Sequence, residues 1–175
     1  MGVDKALIRV RGTPMISGIT EVLQAVFPSV CIIANQCETY DFLNLPVFPD
    51  IHPYCGPLGG LHSAFSHTRT EEVFLIGCDM PFVSRELIEY IVHYPSTAPA
   101  RAAHTKDGRV HPICSVYHRN IFPLVADAIA HQRLKMLDLL RASGATLVPL
   151  EPDLPFYHPD LLRNFNDHSS ANGIE

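Results

Sequence analysis

Apolar residues fall into two alternating patterns along this chain. Short unbroken runs, such as Val30-Cys31-Ile32-Ile33-Ala34, Val73-Phe74-Leu75-Ile76 and Thr146-Leu147-Val148-Pro149-Leu150, predict strands. The run from Val73 is β-branched and aromatic, which predicts a strand buried on both faces. Pro46-Val47-Phe48-Pro49-Asp50 predicts a shorter strand. Between these runs the spacing turns helical. Residues 15–27 carry Ile16, Ile19, Leu23 and Val26 on one face, with Pro14 suited to the first turn and Pro28 ending the helix. Further helices are predicted over 58–67, 84–93, 121–130 and 135–143. The third of these five helices is capped by Ser84 with Glu86 in its first turn, and the last is closed by Gly144. Residues 40–45 predict a short helix or turn.

In the second half, residues 100–104 and 110–117 flank Lys106-Asp107-Gly108-Arg109, where Asp-Gly signals a hairpin. Strands alternating with helices predict a mostly parallel, three-layer α/β fold, and the hairpin adds an antiparallel excursion. At 175 residues the chain is expected to form a single domain over 1–175. It shows no internal repeat and no low-complexity segment.

Three of the predicted strands end in a polar side chain: Asn35, Asp50 and Asp79. In an open α/β sheet, ligands sit beyond the carboxyl ends of the strands. A lone Asp there suits a divalent metal held against phosphate oxygens, or it caps the helix beginning near Pro81 or bonds loop amides. Lys5 offers a compact positive charge to phosphates. Gly56-Pro57-Leu58-Gly59-Gly60 opens a helix with residues that let a ligand approach the backbone, although a tight loop-to-helix contact has the same signature. Together these residues fit a nucleotide plus Mg²⁺, with Asn35 and Asp50 placed to read a base or ribose edge.

Charge and cysteine usage narrow the classes. The formal net charge is -5 and no basic block is long, so a nucleic-acid footprint is not expected. No apolar run approaches the roughly 18 residues of a membrane span, and Met1 leads into Gly2-Val3-Asp4-Lys5 with no signal-peptide pattern. Five cysteines without a C-x-x-C pair argue for a reducing compartment, and hence the cytoplasm. The ten histidines form no helical ligand pair with a third ligand nearby. Cys78, beside Asp79, is expected to be a small buried residue and not a nucleophile.

Met1-Gly2-Val3-Asp4-Lys5-Ala6-Leu7, Gly12-Thr13-Pro14, Asp50 before Gly56-Pro57-Leu58-Gly59-Gly60, Cys78-Asp79-Met80-Pro81-Phe82, His111-Pro112 and Asn164-Phe165-Asn166 occur in this order. Taken together, these motifs resemble those of the molybdenum cofactor guanylyltransferases over nearly the whole chain. The resemblance implies a Rossmann-like nucleotidyltransferase fold. It also implies transfer of GMP from GTP to the phosphate of molybdenum-molybdopterin, with release of pyrophosphate. In that reading Lys5 touches the GTP phosphates, Asn35 and Asp50 line the nucleotide pocket, and Asp79 coordinates Mg²⁺. Gly59 and Gly60 keep the loop close to the nucleotide, and Asn164 and Asn166 lie near the metal and the pterin side.

The partners implied are small-molecule substrates and transient contacts with other proteins of the cofactor pathway. Family members open with a strand and a Leu-Ala-Gly-Gly-x-Ser-x-Arg loop, so the resemblance implies a chain shortened at its N-terminus. Loss of that strand would expose edges on its neighbours. A related cytidylyl- or sugar-phosphate nucleotidyltransferase, and a nucleotide-binding relative without turnover, remain alternatives at this point.

Overall fold

A computed structural model describes residues 4–10 and 12–165. The chain divides into two compact units, each built from separated segments. The first comprises Met1–Val30, Ile76–Tyr90 and Glu151–Glu175, and the second comprises Cys31–Leu75 and Ile91–Leu150.

In the first unit a single 3-10 turn, Lys5–Leu7, is capped by Asp4, whose Oδ1 accepts the Ala6 N–H at 3.1 Å. The strands β1 (Arg9–Val10) and β2 (Thr13–Pro14) form a minimal antiparallel hairpin around Gly12, which takes a positive φ of 80°. Helix α1 (Met15–Val26) follows directly and buries Ile16, Ile19 and Leu23, the face expected from the spacing. Buried Thr20 turns its hydroxyl back to the Ile16 carbonyl at 2.8 Å, so it carries no unpaired polar atom into the core.

The second unit holds the sheets. Strands β3 (Ile32–Ile33) and β4 (Val47–Phe48) pair in parallel, with the 3-10 segment Cys37–Leu43 between them. Both are shorter than their apolar runs, because only these residues find ladder partners. Helix α2 (Gly56–His67) leads to β5 (Glu72–Ile76), which extends from this unit into the first. Helix α3 (Arg85–His93) begins in the first unit behind Ser84, whose Oγ accepts the Leu87 N–H at 3.2 Å, the cap expected from the sequence. Strands β6 (Ala100–Thr105) and β7 (Val110–His118), helices α4 (Phe122–Ala130) and α5 (Met136–Ser143), and strand β8 (Thr146–Leu150) complete the unit. Gly144 closes α5 in the left-handed region at φ 66°.

The four-stranded sheet has the order β5-β7-β6-β8. β6 runs parallel to β8 and antiparallel to β7. The Arg119 N–H donates to the Glu71 carbonyl at 2.7 Å, which sets the end of β7 beside the start of β5. β7 therefore runs against both neighbours, while β5, β6 and β8 share a direction. The β6–β7 hairpin is the antiparallel excursion that Asp107-Gly108 predicts. Asp107 Oδ1 accepts from both the Thr105 hydroxyl and the Arg109 N–H, and Gly108 supplies φ 85°.

Against expectation, Val73, Phe74, Leu75 and Ile76 of β5 are only half-buried, and Glu72 is exposed. It stands at the edge of its sheet among the described residues, and an edge strand has one side without a partner to cover it. The core of this unit packs Leu58, Leu61 and Phe65 of α2, Val125 and Ile129 of α4, and Leu139 and Leu140 of α5 against Ala100, Ala102 and Tyr117 of the sheet. Small alanines on β6 leave room for the helices, and each fully buried Leu or Phe contributes about 1.5–3 kcal/mol.

Candidate active site

The strand–turn stretch Gly77-Cys78-Asp79-Met80-Pro81 follows β5 and belongs to the first unit. Asp79 is half-buried, and it is Ser84, not Asp79, that caps α3. The main-chain carbonyl of Asp79 accepts the Phe165 N–H at 2.7 Å, which brings the C-terminal segment, and with it Asn164, to this turn. Asn166 lies outside the described residues.

Cys78 reports on what surrounds the turn. Partial burial raises its thiol first, the Asp79 and Asp4 carboxylates raise it further, and Lys5 opposes them. Lys5, Asp4, Asp79 and Cys78 are thus electrostatic neighbours within this unit. Cys78 is exposed as a residue, not buried as its apolar context suggested, because it follows the last ladder residue of β5. Its raised thiol disfavours the thiolate that a nucleophile needs. Exposed Lys5 sits in the capped turn, so its ammonium is carried by a fixed backbone.

In the second unit a separate polar group forms at the ends of β3 and β4. Asn35 Oδ1 accepts the Asp50 N–H at 3.1 Å. Ser63, on the buried face of α2, accepts the Ile51 N–H at 2.9 Å and donates to Asp50 Oδ1 at 3.4 Å. The structure therefore joins Asn35 and Asp50, as their strand-end positions suggested, and adds Ser63. A serine among Leu58, Leu61, Ala64 and Phe65 was the available signal for it, since a buried hydroxyl needs a partner.

Gly59 and Gly60 lie inside α2 and not in the preceding loop, because the helix starts at Gly56 with Pro57 in its first turn. Their roles differ. A Cβ on Gly59 would meet the His52 carbonyl oxygen at 2.9 Å and Cys55 Cβ at 3.0 Å, whereas one on Gly60 meets nothing within 4 Å. Gly59→Ala is therefore expected to destabilise the protein, since overpacking costs about 1–3 kcal/mol and exceeds the helix-propensity gain. Gly60→Ala is expected to stabilise by up to about 1 kcal/mol. Denaturant unfolding of the two variants checks this, and equal effects at both positions would remove the packing explanation.

Among the described residues, no group of three or more His, Cys, Asp or Glu side chains is placed to hold a metal ion. The oxygen donor Asp79 suits a hard cation such as Mg²⁺, which takes one or two carboxylates and completes its shell with water and phosphate. No helix among the described residues is long and apolar enough to cross a membrane.

Comparison with known proteins places these residues in a family. Residues 1–146 match the model of the MobA-like NTP transferase domain. A probable molybdenum cofactor guanylyltransferase of Flavobacterium johnsoniae is 28% identical over 98% of this chain and 87% of its own length. The molybdenum cofactor guanylyltransferase of Pasteurella multocida is 30% identical over 95% of this chain and 87% of its own. The crystal structure of 2-C-methyl-D-erythritol 4-phosphate cytidylyltransferase from Thermus thermophilus superposes with a TM-score of 0.72 at 15% identity, covering 98% of this chain and 92% of that one. The fold is the Rossmann-like α/β fold of nucleotidyltransferases, and the chain belongs to the MobA-like NTP transferase family.

Proposed function

We propose that this protein transfers GMP from GTP to the terminal phosphate of molybdopterin, acting in the cytoplasm as one nucleotidyltransferase domain. A phosphate oxygen of the pterin attacks the α-phosphorus. The bond from that phosphorus to the bridging oxygen breaks, and pyrophosphate carries away the electron pair. The attacking oxygen is already anionic, so no nucleophile–base pair is required. Positioning and charge neutralisation account for the chemistry.

The observation that carries this reading is that the Phe165–Asp79 hydrogen bond brings Asn164 to the Asp79 turn, in the unit that also contains Lys5, whose charge acts on the neighbouring Cys78 thiol. Lys5 offsets phosphate charge. The Asp79 carboxylate would hold Mg²⁺, which supplies further positive charge to the phosphates. Asn35 and Asp50, held in one hydrogen-bonded group, serve the nucleoside: a carboxylate accepts from the donor edge of guanine. The names of the relatives support guanylyl transfer in particular.

The test is equilibrium binding and single-turnover transfer with GTP and CTP, each with Mg²⁺ present. GTP preference with GMP incorporated into molybdopterin is the expected result. A clear CTP preference would overturn the guanylyl assignment.

A further inference from the structure

Between β4 and α2 the chain makes a turn, His52-Pro53-Tyr54-Cys55, closed by the Cys55 N–H on the His52 carbonyl at 3.4 Å. Pro53 occupies the second position, which its fixed φ suits. Tyr54 occupies the third, with φ 67°, in the left-handed region where turns of this kind usually carry Gly or Asn. For an aromatic residue this backbone state is unfavourable by about 1–2 kcal/mol. Buried packing could offset that strain, but Tyr54 is 100% exposed. Its ring contributes no buried area to folding.

The turn itself is firmly held. Ser63 bonds the Ile51 N–H on one side, and His52 packs edge-on against His62 with centroids 4.5 Å apart. The His52 carbonyl also lies where Gly59 must lack a side chain. A fixed loop thus presents a strained, solvent-facing aromatic ring four residues beyond Asp50. Strain of this kind persists where surrounding structure over-determines it, and it concentrates at ligand sites.

We infer that Tyr54 is a nucleobase-stacking residue: its ring forms a platform for the flat face of the substrate's base, while Asp50 on the same loop addresses the base edge. Stacking on an aromatic side chain needs only a π face, so the tyrosine hydroxyl is dispensable. This inference rests on the nucleotidyltransferase reading given above but not on the choice of GTP.

The experiment measures equilibrium binding of GTP, CTP and inorganic tripolyphosphate to the wild type, Tyr54→Phe, Tyr54→Ala and Tyr54→Gly. Loss of the ring is expected to weaken GTP about tenfold, from the usual size of base–aromatic stacking. Tyr54→Phe should bind as the wild type does, and tripolyphosphate, which has no base, should bind all four alike. Tyr54→Gly should also melt no lower than the wild type, since glycine adopts positive φ without strain. Affinity lost without stability lost is a signature that a merely structural role would not give. GTP affinity unchanged in Tyr54→Ala, or tripolyphosphate weakened equally with GTP, would overturn the platform. Wild-type preference for CTP would overturn the guanylyl reading alone, and the ring's role would then be scored on CTP against tripolyphosphate.

Discussion

Asp79→Asn is expected to lower Mg²⁺-dependent GMP transfer by about 10²–10³-fold while leaving the melting midpoint unchanged. The two halves of this expectation come from different atoms of one residue. The structural contribution of Asp79 is its main-chain carbonyl, which accepts the Phe165 N–H at 2.7 Å and anchors the C-terminal segment. That bond survives any substitution that keeps the backbone in place. The side chain is half-buried and does not cap the following helix, a task that Ser84 performs. Asparagine preserves the shape and one oxygen acceptor but removes the charge that a hard divalent cation requires.

Transfer rates under saturating Mg²⁺ and GTP, read beside a thermal melt, separate the two contributions. If transfer fell less than tenfold, Asp79 would not be the metal-binding carboxylate. If the melt fell with it, the residue would be structural. A rise in the Mg²⁺ concentration needed for half-maximal rate would tie the defect to the cation and not to the base.

Much of this turn was legible beforehand because its signals are local. An apolar run ending in Cys-Asp-Met-Pro announces a strand that stops, and Ser84 with Glu86 announces the next helix. The Asp107-Gly108 hairpin, the Gly144 cap and strand β8 were legible for the same reason: each is decided by a few adjacent residues. The departures all depend on distant neighbours. The run at Val73 looks doubly buried, yet β5 has a partner on one side among the described residues, and nothing in its own composition says so.

Helix α2 begins at Gly56, two residues before the expected start. Glycine has poor intrinsic propensity, but packing of Leu58, Leu61 and Phe65 outweighs it. Ser63 reads as one polar residue on a helix until its contacts with Asp50 and Ile51 are seen. Tyr54 is the least legible, because tyrosine gives no hint that it will take a position suited to glycine. In the candidate site, residue types and strand-end positions were readable. The grouping of Asp4 and Lys5 with Cys78, and of Asp50 with Ser63, required the fold.

Arg119→Ala is expected to destabilise the protein by about 2–4 kcal/mol, lowering the melting midpoint by roughly 5–12 °C. Arg119 lies just past β7, and its guanidinium spans the exit of α2. Nη1 donates to the Phe65 carbonyl at 2.9 Å, Nη2 to Thr68 at 2.7 Å and Nε to Thr70 at 2.8 Å. Phe65 belongs to the last turn of α2, where carbonyls have no partner within the helix and a cation is favoured by the helix dipole. The guanidinium carbon also lies 5.2 Å from the centroid of the Phe65 ring.

Removing the side chain leaves these carbonyls to water. The group is partly exposed, which holds the cost well below the sum of three buried charged bonds. Arg119→Lys should recover less than half of the loss, because an ammonium on a single stem cannot span three carbonyls as a planar fork does. The main-chain bond from Arg119 to Glu71 remains in both variants, so the pairing of β7 with β5 is not itself removed. A loss below about 1 kcal/mol in Arg119→Ala, or full recovery in Arg119→Lys, would show that solvent serves these carbonyls as well as the clamp does.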